Sequence, residues 1–79
     1  MSNTRRLLWM KSFAIKLKEE RIYNNFTQKK IAELLNIPLR AYQNYEAVGK
    51  NHREPSQDLL VKIAKILDAS LDYLLNEEL

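Results

Sequence analysis

The 79-residue chain predicts an all-α fold, a compact helical domain around one modest core. Three observations carry that reading. Apolar residues make up 46% of the chain, which supplies a core and argues against disorder. One Gly and two Pro leave little material for the tight glycine turns of a sheet. The large apolar side chains recur at helical intervals, so each segment carries one stripe to bury.

Residues 10–23 are expected to form an amphipathic first helix with Phe13, Leu17 and Ile22 on its apolar side. Asn24-Asn25 ends it, because Asn tolerates the left-handed conformation found where helices stop. Thr27 is a good N-cap for "QKKIAELL", and Phe26 is placed to pack on Ile31 as a hydrophobic staple. Ile31, Leu34 and Leu35 are the expected buried stripe of this second helix, with Ala32 as a small contact. It is so short that packing must stabilise it.

In "NIP", Asn36 takes the helix exit, Ile37 points inward and Pro38 starts the next helix without losing a needed donor. That third helix, "LRAYQNYE", has Tyr42 and Tyr45 as an inward pair, which leaves Leu39, Arg40, Gln43 and Asn44 on its other faces. An eight-residue link, "AVGKNHRE", follows. Ser56 then caps the helix in "SQDLLVKIAKIL", whose core stripe is Leu59, Leu60, Ile63, Ala64 and Leu67, and Asp58 suits the positive end of the helix dipole. Ser70 caps "LDYLLNE", where Leu71, Leu74 and Leu75 can close the bundle.

Charge is divided along the chain. Residues 1–53 carry eleven Lys/Arg against four Asp/Glu, and residues 54–79 carry two against six, so +7 is followed by −4. A basic front half suits a polyanion such as nucleic acid; ordinary solubilising charge is the competing reading. The chain has no Cys and a single His, which leaves no thiolate metal site, no disulfide and no metal centre at His52 alone. No cofactor is expected. Catalysis is not expected either, since the sequence has no glycine-rich phosphate loop and no nucleophile–base set. The opening "MSNTRRLLWMKSFAIKL" is interrupted by Lys11 and Lys16 and never reaches the length of a membrane span, so a cytoplasmic protein with no membrane partner is expected.

From Phe13 to Leu75 the chain resembles the Cro/repressor helix-turn-helix family, the lambda-repressor-like or XRE-type DNA-binding domain. The matching stretches are "LKEERI", "TQKKIAELLNI", "YQNYE", "REPS", "LLVKIAKILDAS" and "LDYLL", in the family's order. The resemblance implies a five-helix bundle whose second and third helices form the DNA-reading unit, with residues 10–79 as the DNA-binding domain. Residues 1–9 are then an N-terminal arm or the start of helix 1. Trp9, with Leu7 and Leu8, packs under the bundle, supports a subunit contact or belongs to an arm that follows DNA beside Arg5 and Arg6.

The resemblance makes the helix at about residues 38–46 the recognition helix, with Leu39, Arg40, Gln43 and Asn44 as base contacts. Arg40 has the fork that suits guanine, and Gln43 and Asn44 have the paired donor and acceptor that suit adenine. Gln28, Lys29 and Lys30 are expected at phosphates, Gln28 also buttressing the reading helix. Arg21 is expected to pair with Glu46 as a structural contact. Leu39 stands where a polar residue is common, Pro38 where a Ser/Thr cap is common, and Glu20 where an apolar residue is common.

The link is longer than the family's usual one by about three residues, an addition that costs little closure entropy. Lys50, His52 and Arg53 make it basic, which reads as a phosphate-contacting loop; a plain solvent loop is the alternative. The functional expectation is a transcriptional regulator, a repressor, that binds a palindromic operator in double-stranded DNA as a homodimer. Its rival is a helical protein-interaction module, such as the antitoxin partner of a toxin–antitoxin pair.

Overall fold

A computed structural model describes residues 12–75. Among them are five α-helices: α1 Phe13–Tyr23, α2 Gln28–Leu35, α3 Leu39–Glu46, α4 Gln57–Leu67 and α5 Leu71–Leu75. A single 3-10 turn, Gly49–Asn51, interrupts the link between α3 and α4. The bundle and its order are those the sequence predicts. The expectations for Arg5, Arg6, Leu7, Leu8 and Trp9 lie outside the described residues.

Hydroxyl caps start four of the five helices. Ser12 accepts from the Ile15 amide, Thr27 from Lys30, Ser56 from Leu59 and Ser70 from Tyr73, at 2.9–3.3 Å. Each bond satisfies an amide that the helix cannot pair internally. The Ser12 cap also corrects the first boundary: α1 begins at Phe13 rather than near residue 10. Pro38 is likewise the cap of α3 and not its first residue, with ψ 148° and no side-chain acceptor to offer.

Three helices end in one way. Asn25, Asn36 and Asp68 each take a left-handed φ, between 54° and 64°, just past a helix. The next residue then returns its amide to a carbonyl inside the last turn: Phe26 to Arg21, Ile37 to Ala32 and Ala69 to Ala64, at 3.0–3.1 Å. This is the Schellman closure, and it turns the following residue back toward the protein. Phe26, Ile37 and Ala69 all pack against the core.

That core consists of Leu17, Ile31, Ala32, Leu35, Tyr42, Tyr45, Ile63, Ala64, Leu67 and Leu74. α2 packs on α3 and α4, and α1 packs on α3 and α5. Of the expected core residues, Phe13, Leu59 and Leu71 are half-buried against it, Leu60 is half-buried and not part of it, and three more are exposed. Ile22 is 55% exposed, Leu34 48% and Leu75 51%. Ile22 lies about 140° around the helix from Leu17, and Leu34 falls beyond the arc centred between Ile31 and Ala32. Leu75 is one residue, about 100°, from the buried Leu74 on a helix too short to wrap around anything.

In place of Ile22, α1 buries Lys16, of which 1% is exposed. Its stem lies in the apolar layer, while Nζ donates to the Tyr73 carbonyl at 2.9 Å and sits 5.0 Å from the Tyr73 ring. Asn24 makes a second tie, its side-chain amide donating to the carbonyls of Glu20 and Leu67.

Ala32 is 3% exposed where α2 crosses its neighbours. Ala32→Leu should lower stability by about 1–3 kcal/mol, because a packed crossing has no room for the added carbons. Chemical denaturation checks this; an unchanged midpoint would mean the crossing is looser than described.

Candidate nucleic-acid interface

The turn between α2 and α3 sets their angle. Asn36 ends α2, Ile37 anchors inward, and Pro38 begins the next turn, so only three residues separate the helices. α3 then buries Tyr42 and Tyr45, whose rings meet edge to face at 6.1 Å. With that side committed to the core, Leu39, Arg40 and Gln43 are exposed and Asn44 is half-buried.

Behind the exposed face lies a buried carboxylate. The Glu46 side chain is 3% exposed and its two oxygens each accept two hydrogen bonds. Arg21 Nε donates to Oε2 at 2.7 Å and Nη2 to Oε1 at 3.2 Å. Gln28 Nε2 donates to Oε1 at 3.1 Å, and the Tyr42 hydroxyl donates to Oε2. The remaining Arg21 Nη1 donates to the Phe26 carbonyl at 2.8 Å. One carboxylate therefore joins the end of α1, the start of α2 and the end of α3.

These contacts shift Arg21 and Tyr42 both upward, keeping the guanidinium charged and the phenol neutral. The hydrogen bonds to Glu46 hold the Arg21 guanidinium above its ordinary range, against some desolvation. Burial, and then the hydrogen bond to Glu46, push the Tyr42 phenol far above ordinary tyrosine.

The structure brings Gln28 into this network while leaving Lys29 and Lys30 exposed beside it at the start of α2. The basic loop residues differ among themselves. Lys50 is exposed on the 3-10 turn. His52 is half-buried, with Nδ1 2.9 Å from the Ala47 carbonyl, Nε2 2.9 Å from Glu54, and its ring edge-on to Phe13. Arg53 is exposed, but its Nη1 donates to the His52 carbonyl at 2.9 Å and its amide donates to the Asn44 carbonyl at 3.0 Å. The link is therefore an ordered loop stapled to the last turn of α3.

Sequence reasoning anticipated the Arg21–Glu46 pair and a buttressing Gln28, and it missed Tyr42 as a donor to Glu46. The signal was available: Tyr42 and Glu46 stand four apart on one helix, where side chains meet. Among the described residues, no group of His, Cys, Asp or Glu could hold a metal ion, and no helix is long and apolar enough to cross a membrane.

Residues 17–74, from the core of α1 to α5, match the model of a family described as helix-turn-helix. The chain belongs to this helix-turn-helix family. It is the Cro/repressor type that the motifs resemble. Similar proteins come from Bacillus subtilis (strain 168). The HTH-type transcriptional regulator ImmR is 39% identical over 67 residues, covering 85% of this chain and 50% of its own length. The uncharacterized HTH-type transcriptional regulator YqaE is 42% identical over 66 residues, covering 84% and 54%. The SPbeta prophage-derived regulator YonR is 36% identical over 63 residues, covering 80% and 56%. The helix-turn-helix chain thus spans about half the length of the curated relatives it matches.

Two outcomes follow for this helix-turn-helix core. Glu46→Gln removes the counter-charge of the largely buried Arg21 and should cost about 3 kcal/mol in denaturation. The second concerns alkaline pH. The folded chain keeps the Tyr42 proton after the unfolded chain has lost its own near the ordinary value of 10.0. Stability is thus fully present below that pH and falls as pH rises through and beyond it. Tyr42→Phe should be less stable at neutral pH yet, above the ordinary tyrosine value of 10.0, lose stability less steeply by about 1.4 kcal/mol per pH unit. Denaturation midpoints measured across the alkaline range for both proteins test the difference in slope.

Proposed function

We propose that this domain is a sequence-specific regulator of transcription that inserts α3 into the major groove of double-stranded DNA. One observation carries the reading: the face of α3 that bears Arg40 and Gln43 is open, while its opposite face is fixed to α1 and α2 through Tyr42 and Glu46. A reading helix needs both, since base edges can be discriminated only by side chains held in register. The regulators named above supply the functional context, each over about half its length.

In this arrangement Arg40, Gln43, Asn44 and Leu39 meet base edges. Arg40 offers two parallel donors to guanine, Gln43 and Asn44 offer donor and acceptor to adenine, and Leu39 offers an apolar contact to a thymine methyl. Gln28, Lys29 and Lys30 approach phosphate at the start of α2. Gln28 uses one amide hydrogen on Glu46 and has a second for an oxygen outside. Lys50, His52 and Arg53 flank the backbone from the loop, with Lys50 the best presented because His52 and Arg53 also bond within the loop. Residues 10–79 act as the DNA-binding domain of a cytoplasmic protein. A homodimer places two α3 helices on half-sites of a palindromic operator about one helical turn apart. Occupancy of an operator overlapping a promoter excludes polymerase, which makes the regulator a repressor.

Selection from random duplexes, followed by titration of variants on the selected site, tests this reading. Arg40→Ala and Gln43→Ala should each lose about 1–3 kcal/mol of preference for that site while keeping nonspecific affinity. Lys50→Ala should weaken all duplexes alike and lower the salt slope by about one. Unchanged sequence preference in both helix variants would overturn the base-reading assignment. Tight binding to a protein partner at high salt, with no DNA preference at all, would favour the interaction-module reading instead.

A further inference from the structure

α1 carries apolar side chains on two sides. Ala14 and Leu17 are buried, whereas Ile15 is 40% exposed and Ile22 more so. Seven residues fall about 20° short of two full turns, so Ile15 and Ile22 stand one above the other, about 10 Å apart along the helix, on the side away from Leu17. Singly exposed aliphatic residues are ordinary. Two β-branched residues in one line are less so, since they weaken a helix unless they are packed.

The charges between the two isoleucines select an occupant. Lys18 and Glu19 are both exposed, and the helical spacing puts Lys18 about 50° to one side of the stripe's centre line and Glu19 about 50° to the other. A second copy laid on this face, with the two-fold axis parallel to α1, sets each isoleucine against its own counterpart. It also sets Lys18 of each copy beside Glu19 of the other. Turning the second copy end for end sets Lys18 beside Lys18 and Glu19 beside Glu19, which is repulsive. The face is therefore complementary to itself in one direction, as a symmetric contact requires.

We propose that the outer face of α1 is a contact surface for a second copy of this chain, with the two α1 helices side by side and pointing the same way. α1 has 11 residues and is about 16 Å long, so the contact is smaller than those of tight complexes and the pairing is reversible. The face shares no residue with α3 or with the basic loop, and the inference does not depend on the DNA-binding reading.

Sedimentation equilibrium of the full chain without DNA tests this. The average mass should rise from one copy toward two as concentration increases from about 10 μM to about 1 mM, the range of a weak contact. Ile15→Gln and Ile22→Gln should each weaken the pairing about tenfold, because each change is made in both copies. Helix content by circular dichroism should not change; should either variant lower it, Ile15→Ala and Ile22→Ala carry the same comparison. Val48→Gln, at an exposed apolar position in the loop, should leave the pairing as it was. Lys18→Glu and Glu19→Lys should each abolish pairing alone and recover it when mixed in equal amounts, a result that altered folding could not produce. A mass of one copy throughout would overturn the proposal. Self-association that the isoleucine variants do not move would overturn it too, as would charge variants that fail to pair when mixed.

Discussion

A single carboxylate holds the geometry of this domain. Glu46 is out of water, and a charge in that position is tolerable only while its hydrogen-bonding capacity is filled. Filling it requires Arg21, Gln28 and Tyr42 to converge from three helices. An alternative packing that slides α3 along α2 by one turn would still bury apolar surface but would strand this charge. Hydrophobic contact makes the protein compact, and the polar hub selects one register among compact arrangements.

Around that hub, local rules set the angles. The left-handed residues Asn25, Asn36 and Asp68 let α1, α2 and α4 end abruptly, and the residue after each is driven inward as Phe26, Ile37 or Ala69. Each chain reversal therefore contributes a core contact as well as a change of direction. A small domain gains from this economy, since it has few residues to commit to burial.

Much of this was legible from composition and spacing. Thr27, Ser56 and Ser70 mark helix starts because a hydroxyl cap acts within a few residues, and Asn24-Asn25 and Asn36 mark ends for an equally local reason. Burial was less legible on short helices. With two or three turns, an apolar residue outside the buried arc still falls near a helical interval, as Ile22, Leu34 and Leu75 do. Lys16 could not be anticipated at all, because its burial depends on a carbonyl 57 positions away. At the candidate interface the open face of α3 followed from its inward tyrosines. The internal bonding of His52 and Arg53 did not, since it depends on how the loop closes on itself.

The loop after α3 also bears on how such a domain can diverge. Its base is closed by the Arg53 amide on the Asn44 carbonyl and by His52 on the Ala47 carbonyl, while Gly49–Asn51 bulge outward beyond those two ties. Strain from added or deleted residues at the bulge would dissipate there and would not be passed to the helices. The same framework can therefore carry extensions of different size and charge at this point, as a tool handle accepts different bits, and a lineage could vary this surface without having to redesign its interior.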